Sequence, residues 1–339
     1  MSKLLSFVQK YSEYALKYPG LISDSITLMS PQANQASSCV PHVIFSGLVH
    51  GDEVGTLPAF LRIIESFEKK KLSFSGKVSF VVGNKEAALQ GKRFVEQDLN
   101  RSFAVTSAQE NTLEGKRAKD IVTFVQDCSL LVDFHQTIQP TLYPFYTFAF
   151  HWESYLWAQS LGGTNKLLTR NPQNKFSSTG LCFDEYVRSQ LNRPALTLEL
   201  GQRGFHAQSE DLAFTTIKKA IEIAEDVFFH KKNIEKIAQK NPFLEFYESY
   251  ISYPFSHPQM KLLQDFSNFQ KILAGEVFAQ DEKQQPIAAP LNSYAFFPKL
   301  PLRDSQGNAL GVLPGELIIL ARKQDHQSCD YLKEVERIL

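Results

Sequence analysis

Cysteine is scarce in this chain. Four stand in 339 residues, Cys39, Cys128, Cys182 and Cys329, with no Cys-x-x-Cys pair among them. Such spacing argues against a disulfide framework and a thiolate zinc site, and fits a reducing cytoplasm. Long apolar runs are also missing. Nothing approaches the roughly 18 consecutive apolar residues of a membrane-spanning helix. The apolar residues from Leu4 to Val8 run into polar sequence with no small-residue cleavage site, so the N-terminus reads as an amphipathic helix rather than a targeting signal. An excess of charge is absent as well, because 36 Lys+Arg balance 36 Asp+Glu. A broadly basic surface that would grip nucleic acid or a membrane is thereby excluded, although a local basic pocket is not.

What is present is an ordinary globular composition, 43% hydrophobic and 21% charged. Short β-rich runs alternate with segments of helical period. Val43–Val49 reads as a buried strand followed by a helix from Gly55 to Lys71, and Val78–Val82 as a strand closed by Gly83-Asn84. Leu113, Ile121, Phe124 and Val125 mark a helix before the strand Leu130–Phe134. Ala195–Leu200 is a further strand, and Leu212–Phe229 a long helix that Ser209 is placed to cap. This alternation implies crossover connections and a mixed sheet covered on both faces. After the lysine-rich stretch His230–Lys240, Asn241-Pro242 breaks the helical pattern, and short strands with turn signals follow. The expected division is residues 1–240 as an α/β domain and 241–339 as a small β-rich domain.

The polar residues of interest fall at strand ends, where open α/β sheets bind ligands. His50 and Glu53, three apart where the first clear strand meets its helix, can face one metal ion, or can simply be a polar helix start. His135 emerges at the end of another strand as a second nitrogen ligand or an edge histidine. Two His and one Glu make an open zinc site with water in the fourth position. Asp133, two residues earlier, lies on the same side of the strand and can orient the imidazole. Glu199 interrupts the apolar run Ala195–Gly201, where burial would raise its pKa into the range of a general base, unless an arginine pairs with it. Arg93, Asn100 and Arg101 form a third cluster suited to carboxylate and oxyanion recognition, with Asp98 placed to hold a guanidinium.

In order, His50-x-x-Glu53, Gly83-Asn84, Arg93, Asp98-Leu99-Asn100-Arg101, Asp133-Phe134-His135 and Thr197-Leu198-Glu199-Leu200-Gly201 resemble the succinylglutamate desuccinylase/aspartoacylase family, part of the wider zinc carboxypeptidase group. The resemblance implies a three-layer α/β/α zinc-carboxypeptidase-like domain with a mixed sheet, plus the small C-terminal β-rich domain. It also implies one zinc ion per chain held by His50, Glu53 and His135. Glu199 would activate the zinc-bound water, Arg93 polarise the acyl carbonyl, and Asn100 and Arg101 bind a substrate carboxylate. Asp98 and Asp133 would support these groups. The family's further substrate arginine points to Arg188, eleven residues before Glu199, with Arg193 as competitor, and its C-terminal aromatic segment points to Tyr294. The chain departs from the family after His135. Gln136-Thr137-Ile138-Gln139-Pro140 stands where a small-residue stretch ends in a basic residue, and the aromatic run Tyr143–Phe148 that follows reads as a core strand.

The activity so implied is zinc-dependent hydrolysis of the linear amide of an N-succinyl or N-acetyl amino acid, preferentially acidic. A metallocarboxypeptidase acting on peptides shares every part of this site. A catalytically silent zinc-binding protein remains the alternative from another class. The acyl group, the amino acid and any homo-oligomer are not legible from the sequence.

Overall fold

The computed structural model describes residues 2–30, 40–104, 110–170, 180–311 and 313–325. Cys39 and Cys329 lie outside these residues. Cys128 and Cys182 are buried free thiols.

Fourteen strands and eight α-helices are found among the described residues. Chain order begins α1 (Lys3–Lys17), β1 (Ser25–Met29), β2 (His42–Gly47), α2 (Leu57–Glu68), β3 (Lys77–Val82), α3 (Lys85–Leu89), α4 (Leu113–Phe124) and β4 (Leu130–Thr137). It continues β5 (Phe145–Ala149), α5 (Trp152–Leu161), β6 (Lys166–Arg170), α6 (Phe183–Leu191), β7 (Ala195–Gln202), α7 (Ala207–Ala224) and α8 (Ile234–Ala238). The remainder is β8 (Glu245–Pro254), β9 (Lys261–Leu262), β10 (Lys271–Ile272), β11 (Val277–Gln280), β12 (Pro286–Ala288), β13 (Ser293–Phe296) and β14 (Glu316–Gln324). One sheet has the order β1-β3-β2-β4-β7-β5-β6-β8-β14-β13-β10, and a small one the order β12-β11-β9. Strands β3, β2, β4 and β7 are mutually parallel, whereas β5 runs antiparallel to β7.

The pleat sorts side chains between two helical layers. Val43 and Phe45 of β2, Val132 and Phe134 of β4, and Leu196 and Leu198 of β7 pack with Phe60 of α2 and Ile217 of α7. Their alternates Ile44, Leu131 and Ala195 pack on the opposite side with Ile121 of α4 and Phe183 of α6. A central strand buried on both faces reads as continuous apolar sequence, which is why polar residues within β4 and β7 stand out. The chain crosses residue 240 without leaving the main sheet, since β8 pairs parallel with β6 and antiparallel with β14.

Three local expectations need correction. Ser209 does not cap the last long helix, which begins at Ala207 after His206. The Ser209 hydroxyl lies inside the first turn and donates to the Leu200 carbonyl at 3.1 Å, a partner on β7 that no local pattern reveals. The α-helical part ends at Ala224 and passes into one π-helical turn, Glu225–Phe229. The helix expected from Gly55 opens as a 3-10 turn, Val54–Thr56, before α2. The aromatic run does form the core strand β5, with Phe145 and Tyr146 fully buried. No described helix is long and apolar enough to cross a membrane.

Phe80 is fully buried, its ring 5.0 Å from that of Phe60 and 5.7 Å from that of Phe45. Phe80→Ala is expected to lower the unfolding free energy by about 3–5 kcal/mol, read as a shift of the urea midpoint at unchanged slope.

Candidate active site

The site grows out of the face that α4 and α6 cover. On β4 the side chains of that face are Leu131, Asp133 and His135, and on β7 they are Ala195, Thr197 and Glu199, with His135 directly opposite Glu199 in the parallel register. Moving toward the strand ends, the face changes from the apolar Leu131 and Ala195 to the polar Asp133 and Thr197 and then to His135 and Glu199. β2 ends beside them, and the turn after it supplies His50 and Glu53.

Glu53 is the centre of the cluster. Its carboxylate lies 2.8 Å from His50 Nδ1 through one oxygen and 2.9 Å from His135 Nδ1 through the other, and the Gln136 main-chain N–H donates to it at 3.0 Å. The three side chains are almost fully buried, and their potential ligand atoms lie within 4.8 Å of one another, so the cluster could hold a metal ion. Each imidazole has a second carboxylate at Nε2: Asp98 at 3.1 Å for His50 and Asp133 at 2.8 Å for His135. Both Nδ1 atoms therefore face the centre while both Nε2 atoms are held from behind.

The electrostatics follow from burial against charge. Burial opposes ionisation of Glu53, but the two imidazoles outweigh it and hold the carboxyl well below its ordinary range. For His135, burial disfavours the cation, whereas Asp133 and Glu53 prevail and raise its pKa. Glu199 behaves differently. Burial dominates and pushes it up to about 7, and its Oε2 is buried without a hydrogen-bond partner. A carboxyl poised near neutrality with an uncommitted oxygen beside this cluster has the properties of a proton shuttle.

A cavity opens from the cluster. Arg93, Asn100, Arg101 and Glu199 line it together with His50, Glu53 and His135. Arg93 lies 3.2 Å from Glu53 and 3.4 Å from Asp98. The Asn100 Oδ1 accepts from the Phe183 N–H at the start of α6, at 2.9 Å, which fixes the amide so that Nδ2 is the group left for a ligand. Arg101 donates to the Asn100 carbonyl at 2.8 Å and lies 3.3 Å from the Cys182 thiol.

Two expected residues are not in this cavity. Arg188 lies on α6 one turn beyond Asp184, which does reach the cavity, and Arg193 follows the end of α6; neither is in the lining. Tyr294 lies on β13 with its ring 5.1 Å from that of Tyr247, and the lining is instead taken up by Phe297, Pro298 and Lys299 just past the strand. Two basic residues that the sequence did not single out reach the cavity. Arg170, at the end of β6, and Lys299 bring positive charge from remote segments, each beside a carboxylate: Glu185 at 3.1 Å and Glu316 at 3.2 Å. No spacing rule in the sequence joins these positions.

Residues 39–225 match the succinylglutamate desuccinylase/aspartoacylase catalytic domain. The chain belongs to the succinylglutamate desuccinylase/aspartoacylase family. Family membership makes it an amidohydrolase acting on linear amides. It is similar to the succinylglutamate desuccinylase of Ectopseudomonas mendocina (strain ymp), 25% identical over 295 residues that cover 81% of this chain and 83% of the relative. It is likewise similar to that of Pseudomonas aeruginosa (strain LESB58), 25% identical over 252 residues covering 70% and 74%. The fold is shared with the Vibrio cholerae succinylglutamate desuccinylase, at TM-score 0.66 and 18% identity over 88% of this chain and 85% of that one. Murine aminoacylase 3 has it too, at TM-score 0.57 and 16% identity over 85% and 97%.

This family member holds its arginine loop by a residue the sequence did not single out. Glu114, on α4 and 1% exposed, accepts from the Asn84 side chain at 2.9 Å and from the Val95, Glu96 and Gln97 N–H groups at 2.7, 3.2 and 3.3 Å. Glu114→Ala leaves these donors unsatisfied beneath the loop that carries Arg93 to Arg101. Unfolding free energy should fall by about 3 kcal/mol and kcat/KM by about tenfold or more, measured by urea titration and by steady-state assay.

Proposed function

We propose that the protein is a zinc-dependent hydrolase of N-acyl amino acids, releasing a carboxylic acid and a free amino acid. The observation that carries this reading is the convergence of His50 Nδ1, Glu53 and His135 Nδ1 beside the unpartnered oxygen of Glu199. The donor set suits zinc: two imidazole nitrogens, one carboxylate, no thiolate, and a carboxylate behind each imidazole. When bound, zinc supplies Lewis acidity and brings the pKa of a water from about 15.7 toward 7.

The chain's own residues supply the remaining chemistry. Glu199 Oε2 accepts a proton from the attacking water and returns it to the departing nitrogen. Arg93, backed by Asp98, presents its guanidinium to the oxygen on which charge develops. Asn100 Nδ2 and Arg101 hold the amino acid's carboxylate. Lys299 and Arg170 supply positive charge to a second anionic group, which favours N-succinyl substrates or N-acyl derivatives of acidic amino acids. Residues 241–339, taken as a C-terminal unit, place Phe297, Pro298 and Lys299 on the cavity wall, and such closure favours a small N-acyl amino acid over a peptide.

Release of free amine from N-succinyl and N-acetyl amino acids, with short peptides in parallel, tests the reading. Glu199→Gln protein is expected to lose at least about 100-fold in kcat while retaining its metal. Full activity of that variant would remove Glu199 as the base. Arg101→Met should raise KM by about 10- to 100-fold, the loss expected for a charge-assisted carboxylate contact.

A further inference from the structure

Gln136 follows His135 on β4, at the register shift between His135 and Thr137, and borders the cavity. It is 2% exposed, so water cannot replace the partners of its amide. Its Oε1 accepts from the Gly55 N–H at 2.8 Å and the Gly204 N–H at 3.3 Å. Its Nε2 donates to the carbonyls of Gln202 at 3.0 Å and Gly204 at 2.9 Å. The amide is thus used on both sides, and turning it over would set N–H against N–H and carbonyl against carbonyl. The Gln136 main-chain N–H donates to Glu53.

These partners belong to the segments that deliver the chemistry. Gly55 lies two residues beyond Glu53, Gln136 is adjacent to His135, and Gln202 to Gly204 form the turn that leaves the Glu199 strand. The approach is close. A Cβ on Gly55 would lie 2.5 Å from Gln136 Nε2, and Gly204 holds φ +119°, which L side chains rarely adopt. At the surface the same turn is tied down a second time, through the Arg203 N–H to the Thr137 carbonyl at 2.9 Å and through an ion pair between Arg203 and Asp52.

We propose that Gln136 is a positioning residue that fixes the spacing of Glu53, His135 and Glu199, and through that spacing sets both metal affinity and turnover. The inference rests on the zinc hydrolase reading above. It goes further in assigning the geometry of three active-site segments to one buried neutral amide.

Gln136→Met keeps similar length and volume and removes every side-chain hydrogen bond. Zinc affinity of the metal-free protein, measured by competition with a chromophoric chelator, is expected to fall by about 10- to 100-fold, and kcat by a similar factor. In the metal-free protein the Gly55 and Arg203 amides should exchange hydrogen faster than in the parent. Arg203→Met, which removes only the exposed ion pair, should leave zinc affinity within about twofold. The proposal is overturned if Gln136→Met binds zinc and turns over within about twofold of the parent, or if Arg203→Met weakens zinc as much as Gln136→Met does. Should Gln136→Met fail to fold, Gln136→Glu keeps the acceptor for Gly55 but sets an oxygen against two carbonyls. It should free the Arg203 amide while Gly55 stays protected, and unchanged exchange at Arg203 overturns the proposal. If the parent protein hydrolyses no N-acyl amino acid, the functional reading fails by itself, and zinc affinity and exchange still decide the role of Gln136.

Discussion

The Glu53 carboxylate, shared between two buried imidazoles, is the interaction on which the rest of this site depends. Removing ionisable groups from water is costly, and it persists only where each finds opposite charge or a full set of hydrogen bonds. Here Asp98 and Asp133 hold the outer nitrogens, Arg93 lies against both Glu53 and Asp98, and the Gln136 N–H completes the inner oxygen. Glu199 stands just outside this compensation. Its pKa moves up because burial acts on it more strongly than the neighbouring cations do.

The fold meets this constraint by ordinary strand geometry. Side chains two apart on a strand share a face, so one face of β4 passes from Leu131 to Asp133 to His135, and one face of β7 from Ala195 to Thr197 to Glu199. Parallel pairing brings His135 and Glu199 level, and the turn after β2 arrives beside them. The arginine loop has no regular structure of its own beyond a short 3-10 turn, and it takes its shape from Glu114 and from the Phe183 N–H that fixes Asn100. Strands supply His135 and Glu199, the turn after β2 supplies His50 and Glu53, and a fastened loop supplies Arg93, Asn100 and Arg101.

Much of this was legible in the sequence because local pattern carried it. His50, Glu53, His135 and Glu199 interrupt or terminate apolar runs, and ordered motifs tied them together. The illegible parts depend on contacts between remote segments. Arg170 and Lys299 enter the cavity from β6 and from the loop after β13, whereas Arg188, chosen by its distance from Glu199, sits a helical turn away from the lining. Tyr294 likewise yields its place to Phe297. Ser209 resembled a cap until a β7 carbonyl claimed its hydroxyl. Gln136 and Glu114 have unremarkable sequence surroundings, and only their partners reveal what they hold.

The assignment of this cluster as a zinc centre is tested most directly by anomalous diffraction from crystals of the purified protein, recorded above and below the zinc absorption edge. The account predicts one zinc peak per chain, bounded by His50 Nδ1, His135 Nδ1 and the Glu53 carboxylate. A zinc-supplemented crystal with no peak there, or with its ordered zinc bound elsewhere, would contradict it.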